Sequence, residues 1–172
     1  MDHLPSWKLH TRNPFWRVKH PSGAKKVQPV VMNASGEVQV QPSQWYAYEA
    51  SQDISGVVSI QQVPGKATEH LGIKVMFIGR IDMGFNATDG RPHYDFISLS
   101  KELAPPGVLM QPSIEIPFHF KNMEKEYESY RGRNVSVRYF VRVVMERKFL
   151  GSLKKEHDVW VQSKSRDLQY LC

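Results

Sequence analysis

Seven histidines are the side chains of this sequence best suited to hold a metal ion, and their spacing decides whether they converge on one. Two histidines four residues apart on a helix, or two apart on a strand, would lie on one face. No pair has either spacing, so we interpret each histidine as a surface or turn residue and expect no metal site. The seven are His3, His10, His20, His70, His93, His119 and His157.

Nucleophilic catalysis would need a serine or cysteine held beside a base. The sequence has no Gly-x-Ser-x-Gly turn, and its one cysteine, Cys172, is the last residue. Glu124, Glu126 and Glu128 could in principle pair for acid–base work. Lysines and arginines surround them, however, so we interpret this stretch as a solvated charge cluster. We therefore expect a non-enzymatic protein without a cofactor.

β-strands are the elements that would position any such side chain. Apolar and polar residues alternate from Ile73 to Met83 and from Val135 to Met145, which is the period of a half-buried strand. Ile114–Phe120 alternates too, and Pro117 within it predicts a strand at a sheet edge or a bulge. Shorter candidates are residues 15–19, 37–41, 45–48, 57–63 and 158–162.

Helical patterning is almost absent. We expect one helical turn at Ser100–Leu103, ended by Pro105. Several strands separated by Gly and Pro turns predict an all-β fold, an antiparallel β-sandwich of immunoglobulin-like type. We expect an irregular N-terminal arm over residues 1–35, the sandwich over residues 36–162 and a flexible tail over residues 163–172.

The 172 residues carry a net charge of +6, from 23 basic and 17 acidic residues. A basic surface could meet nucleic acid, anionic lipid or an acidic protein, or it could simply keep the protein solvated. We expect no nucleic-acid partner, because no nucleic-acid-binding motif is present. The first twenty residues lack the apolar core of a signal peptide, and we expect a cytoplasmic protein.

Ordered blocks of sequence from Ile54 onward resemble the vacuolar protein sorting-associated protein 26 family, the arrestin-like subunit of retromer. The resemblance extends over about residues 54–162, and the order of the blocks makes it specific. The blocks are Ile54-Ser55-Gly56, Pro64-Gly65-Lys66, residues 69–74, Phe77-Ile78-Gly79, residues 94–107, Ile116-Pro117-Phe118-His119-Phe120, residues 124–132 running into residues 138–143, and residues 155–161.

This resemblance implies a single arrestin-like β-sandwich, the first of the two that the family has. It also implies a non-enzymatic subunit of the retromer coat that acts in endosomal retrieval and intracellular protein transport. The implied partners are the other retromer subunits, sorting nexins and cargo tails, at the cytoplasmic surface of endosomal membranes. In the family, the main contact with the large solenoid subunit lies in the second sandwich, which the blocks do not match.

One family surface falls within the matched half, a hairpin region that binds the PDZ domain of a cargo-adaptor sorting nexin. The resemblance implies Glu49 and Leu153 as its positions in this sequence. Compared with the family, this sequence has one extra residue between Tyr48 and Gly56, which leaves the alignment of this segment open. Asp53 is therefore the alternative to Glu49 as the acidic residue of the contact.

Arg138 and Arg142 lie at even positions of a strand whose odd positions are mostly valines, so they occupy its opposite face. We expect them to form a charged layer toward a second sandwich, since buried charges need partners. This half alone would then expose a basic face. Such a face supports an alternative function, a retromer-independent arrestin-like adaptor that binds cargo tails or anionic membrane.

Overall fold

In the computed structural model, the described residues form fourteen β-strands and no helix. The structure describes residues 15–21, 26–27, 30–32, 38–40, 45–62, 64–84, 92–121 and 123–163. The strands are β1 Phe15–Lys19, β2 Lys26–Val27, β3 Val30–Met32, β4 Val38–Val40, β5 Trp45–Glu49, β6 Ile54–Gln61, β7 Thr68–His70, β8 Gly72–Met83, β9 His93–Ala104, β10 Gly107–Leu109, β11 Ser113–Phe120, β12 Tyr130–Arg131, β13 Val135–Glu146 and β14 Leu153–Gln162.

Two main sheets form the sandwich. One has the strand order β1-β6-β11, and the other has the order β2-β5-β14-β13-β8-β9, with β12 also paired to β13. Two small two-stranded sheets, β7 with β10 and β3 with β4, complete the fold. Every pair is antiparallel except β5 with β14, which is parallel.

The core lies between these sheets and follows the alternation of the two longest strands. In β13, Val141 lies opposite Phe77 of β8, and Val143 lies opposite Val75. These four side chains are buried, and Val58 of β6 reaches the same cluster from the other sheet. The apolar residues at period two therefore bury one face of each strand, which is the main stabilising term of a sandwich.

Position 79 in β8 requires glycine because two aromatic rings pack closely against its backbone. A Cβ atom at this position would lie 2.7 Å from the Phe96 ring and 3.0 Å from the Tyr139 ring. The absent side chain lets Phe96 pack edge-on against Tyr139, with ring centroids 5.4 Å apart. The register of β8 and β9 also shifts between Gly79 and Arg80, which is one of two irregular points in this pair; the other lies between Ile73 and Lys74.

Most of the sequence-based strand predictions are confirmed. Strands lie at Phe15–Lys19, Gly72–Met83 and Val135–Glu146, and β11 with its Pro117 is one of the two edge strands of its sheet. The strands β1, β2 and β3 fall inside the predicted irregular arm. Residues 1–14 of that arm and residues 164–172 of the predicted tail lie outside the described residues.

The helical turn predicted at Ser100–Leu103 is wrong, because these residues belong to strand β9. The strand β9 is the last strand of its sheet, and most of its side chains are exposed. Without a buried face, the sequence carries no clear alternation, so local pattern alone could not identify the strand.

Candidate functional surfaces

The turn between β5 and β6 carries Glu49 and Asp53, the two acidic candidates for a partner contact. The Gln52 backbone amide donates to the Glu49 carbonyl at 3.0 Å, and the Gln52 side-chain oxygen accepts from the Glu49 amide at 3.1 Å. Glu49 is exposed, whereas Asp53 is half-buried. The Asp53 carboxylate also lies 2.9 Å from Nε2 of His119. Glu49 is therefore the more accessible of the two acidic residues.

The buried side chain of Lys125 forms hydrogen bonds to the backbone of this turn. Its ammonium donates to the carbonyls of Glu49 and Ala50 at 3.1 Å each and to the carbonyl of Gln52 at 2.5 Å. The residue is only 2% exposed, so the predicted solvated charge cluster is wrong at this position. Burial lowers the pKa of Lys125 to about 8, and the Asp53 carboxylate acts in the opposite direction. Sequence reasoning missed this lysine because its neighbours in the chain are exposed and charged.

Leu153 lies at the other end of β14 from this turn. Glu49 is level with Gln162 in the parallel pair of β5 and β14, whereas Leu153 begins β14 opposite Met145. The extended strand from 153 to 162 is about 30 Å long at the usual rise per residue. Leu153 is also half-buried and packs against the core. The structure therefore places Leu153 and Glu49 on two separate surfaces, and a partner contact at either one stays a prediction.

Arg138 and Arg142 lie on the outer face of the larger sheet, but they are paired with acids of the neighbouring strand. The Arg138 guanidinium donates to Asp158 at 2.6 Å and to Glu156 at 3.2 Å. The Arg142 guanidinium donates to Glu156 at 2.6 Å. Burial lowers the pKa of Arg138, but its bonds to the two acids outweigh this effect and hold the pKa above its ordinary value. The expectation of an exposed basic face is therefore wrong, because β14 supplies the carboxylates that neutralise it.

Phe140 lies beneath this arginine layer. Its side chain is fully buried although it belongs to the outer face of β13. The guanidinium carbons of Arg138, Arg142 and Arg80 lie 4.6, 5.2 and 5.4 Å from the centre of its ring, which is within range of cation–π attraction. Arg80 is itself bound to Asp95 at 2.6 Å, and this hydrogen bond lowers the pKa of Asp95. The layer thus covers an apolar ring with paired charges.

A histidine and tyrosine cluster joins β1 to β5 and β14. The His20 Nδ1 atom lies 2.6 Å from the Tyr48 hydroxyl, and the His20 ring stacks on Tyr46 with centroids 3.8 Å apart. The His157 ring lies 4.9 Å from His20. Burial, together with the charge of His157, lowers the pKa of His20 to about 4. The prediction that every histidine lies at the surface or in a turn is therefore wrong for this half-buried pair and for His70, which is buried.

Within the part of the chain that the structure describes, no three His, Cys, Asp or Glu side chains are grouped so that they could hold a metal ion. The same residues include no helix long and apolar enough to cross a membrane.

Comparison with known proteins relates the chain to one family. Residues 23–170 match the family model described as Vacuolar protein sorting-associated protein 26. The chain is 42% identical over 117 residues to Vacuolar protein sorting-associated protein 26 of Dictyostelium discoideum. This alignment covers 67% of this chain and 32% of that protein. The chain is 41% identical over 120 residues to Vacuolar protein sorting-associated protein 26B of Danio rerio, covering 69% and 35%. The matches thus span about a third of the length of these relatives.

Among solved structures, the crystal structure of Spo0M, a sporulation control protein from Bacillus subtilis, has a similar fold. The TM-score is 0.51 at 13% sequence identity, and the match covers 69% of this chain and 46% of that one. At such low identity the likeness concerns the fold alone. It agrees with the antiparallel sandwich that the strand pattern predicted and with the arrestin-like type that the sequence resemblance implied.

Proposed function

This chain belongs to the vacuolar protein sorting-associated protein 26 family, and from that premise we propose that it is a non-enzymatic subunit of the retromer coat. It acts in endosomal retrieval and intracellular protein transport by binding other proteins at the cytoplasmic surface of endosomal membranes. Its partners are the other retromer subunits, sorting nexins and cargo tails. The observation that carries this proposal is the family match over residues 23–170.

We assign the sorting-nexin contact to the turn that carries Glu49. An exposed carboxylate at the end of β5 can pair with a cation of a partner. The Lys125 ammonium fixes the backbone on which Glu49 stands, through three carbonyls of the turn. A turn that is already ordered loses less conformational entropy on binding than a loose loop would. This preorganisation supports Glu49, and Leu153 at the far end of β14 would belong to a separate contact.

The assignment can be tested by charge reversal. Glu49→Lys should weaken binding to the PDZ domain of a cargo-adaptor sorting nexin from the same source by at least about tenfold, because it replaces attraction with repulsion. Isothermal titration calorimetry measures the change in Kd. Glu69→Lys is the matched control, since Glu69 is also exposed and lies in β7; it should bind as the unmodified chain does. Equal binding of the two variants would contradict the assignment to this turn.

The alternative function, a retromer-independent adaptor with a basic binding face, loses its main support. It depended on unpaired arginines, and Arg138 and Arg142 are both paired with acids of β14. We therefore retain the coat subunit as the proposed function.

A further inference from the structure

The turn between β13 and β14 exposes two large apolar side chains to solvent. Phe149 is 88% exposed and Leu150 is 73% exposed. The two are adjacent at the tip, in the turn of residues 148–150. Among the described residues, no other large apolar side chain is as exposed as Phe149. An aromatic and an aliphatic side chain held in water at one tip need an explanation, since each loses free energy by its exposure.

The charge around this tip is of one sign. Residues 147–155 contain four cations, Arg147, Lys148, Lys154 and Lys155, and no acid. The acids on either side are already engaged within the sheet. Glu146 is bound to Lys74 at 3.1 Å, and Glu156 is bound to Arg142 at 2.6 Å. The two apolar residues therefore stand in a stretch of sequence whose charged residues are all cations.

The tip is also held in a defined shape. The Arg147 guanidinium donates to the carbonyls of Leu150 and Gly151 at 3.0 and 3.2 Å, which closes the turn on itself. Gly151 has a φ of +68°, a conformation that other residues adopt at a cost. Leu153 then packs against the core and anchors the returning strand. The exposed side chains are thus presented by an ordered hairpin and not by a loose loop.

We propose that this hairpin tip, residues 147–155, docks on the surface of an anionic lipid bilayer. Phe149 and Leu150 enter the boundary between headgroups and acyl chains, and Lys148 and Lys154 face the anionic headgroups. This arrangement, apolar residues at the apex with cations around them, is the one that interfacial anchors use. An acidic peptide would instead require a groove or an open strand edge to lie along, and the apolar residues here stand on a turn. The proposal goes beyond the proposed function, because it needs no coat subunit.

Vesicle co-sedimentation of the full chain tests this. The chain should bind vesicles of equal parts phosphatidylcholine and phosphatidylserine and should not bind vesicles of phosphatidylcholine alone. The double variant Phe149→Ser with Leu150→Ser should bind the anionic vesicles at least about tenfold more weakly. Lys148→Ala and Lys154→Ala should each weaken binding about fivefold. These side chains are outside the core, so the variants should fold.

Two matched controls separate the tip from general surface properties. Met110→Ser removes an exposed apolar side chain elsewhere, and Lys121→Ala removes an exposed cation beyond β11; both should bind as the unmodified chain does. If the serine double variant still bound anionic vesicles fully, insertion of the tip would be wrong and only diffuse charge attraction would remain. If the unmodified chain bound neither vesicle, the bilayer would be ruled out as the occupant, leaving an acidic protein surface as the alternative.

Discussion

A single buried ammonium group, that of Lys125, determines the shape of the surface assigned to a partner. It satisfies three backbone carbonyls of the turn between β5 and β6 at once. Its removal would take one donor from each carbonyl: the Glu49 carbonyl would keep the Gln52 amide and the Ala50 carbonyl would keep the Lys125 backbone amide. The Gln52 carbonyl would lose the most, because the buried ammonium is the donor that reaches it. The sequence showed a run of charged residues around Lys125, and nothing in that run distinguishes the one lysine that turns inward. The distinction requires the positions of the turn carbonyls, which only the folded chain provides.

At the scale of the single residue, we predict that Lys125→Met lowers the free energy of unfolding by about 2 kcal/mol. Methionine keeps the apolar stem of the side chain but loses its hydrogen-bond donors. Chemical denaturation measures the change. Lys121→Ala is the control, since Lys121 is exposed and should alter stability by less than about 0.5 kcal/mol. If the two variants were equally stable, the turn would not depend on the buried ammonium.

At the scale of elements, the long strands could be predicted and their long-range pairings could not. β8 and β13 each bury one face, so their alternation is visible in the sequence. The parallel pairing of β5 with β14 joins segments more than one hundred residues apart, and no local pattern encodes it. The arginines of β13 find their acids only because β14 lies beside them in one register. The alternation of apolar and polar residues thus identifies the strands, whereas the pairing of one strand with another depends on the topology of the whole fold.

The cluster of His20, Tyr48 and His157 links such distant elements, and it predicts a pH dependence. The pKa of His20 is lowered from 6.5 to about 4, so the unfolded chain binds its proton more readily than the folded one. The contribution of His20 to stability is therefore complete above about pH 6.5 and is lost as the pH falls toward 4. The pKa of His157 is lowered too, mainly by burial, so it acts in the same direction.

The measurement is the free energy of unfolding of the unmodified chain and of His20→Phe at a series of pH values between 4 and 7. Phenylalanine can keep the stacking on Tyr46 but cannot titrate. We expect the variant to lose less stability than the unmodified chain as the pH falls through this window. Parallel curves for the two proteins would show that the His20 site does not titrate differently on folding.

At the scale of the whole molecule, the sandwich was predictable but the distribution of charge over its surface was not. A net charge of +6 suggested a basic face. In the structure, the outer face of the larger sheet has paired charges over Phe140, while a compact excess of cations lies at the tip between β13 and β14. We therefore propose separate tasks for two surfaces, a protein contact for the Glu49 turn and a lipid contact for the hairpin tip.

The central claim is that this chain is a working subunit of the retromer coat. The most direct measurement is size-exclusion chromatography of the purified chain mixed with the large solenoid subunit and a sorting nexin from the same source. Our account predicts that the chain moves from its own position into a higher-mass fraction with the sorting nexin, whose contact we assign to the Glu49 turn, although the family's main contact with the solenoid subunit lies outside the matched half. If the chain remained folded and eluted alone in the presence of both partners, the claim would be contradicted.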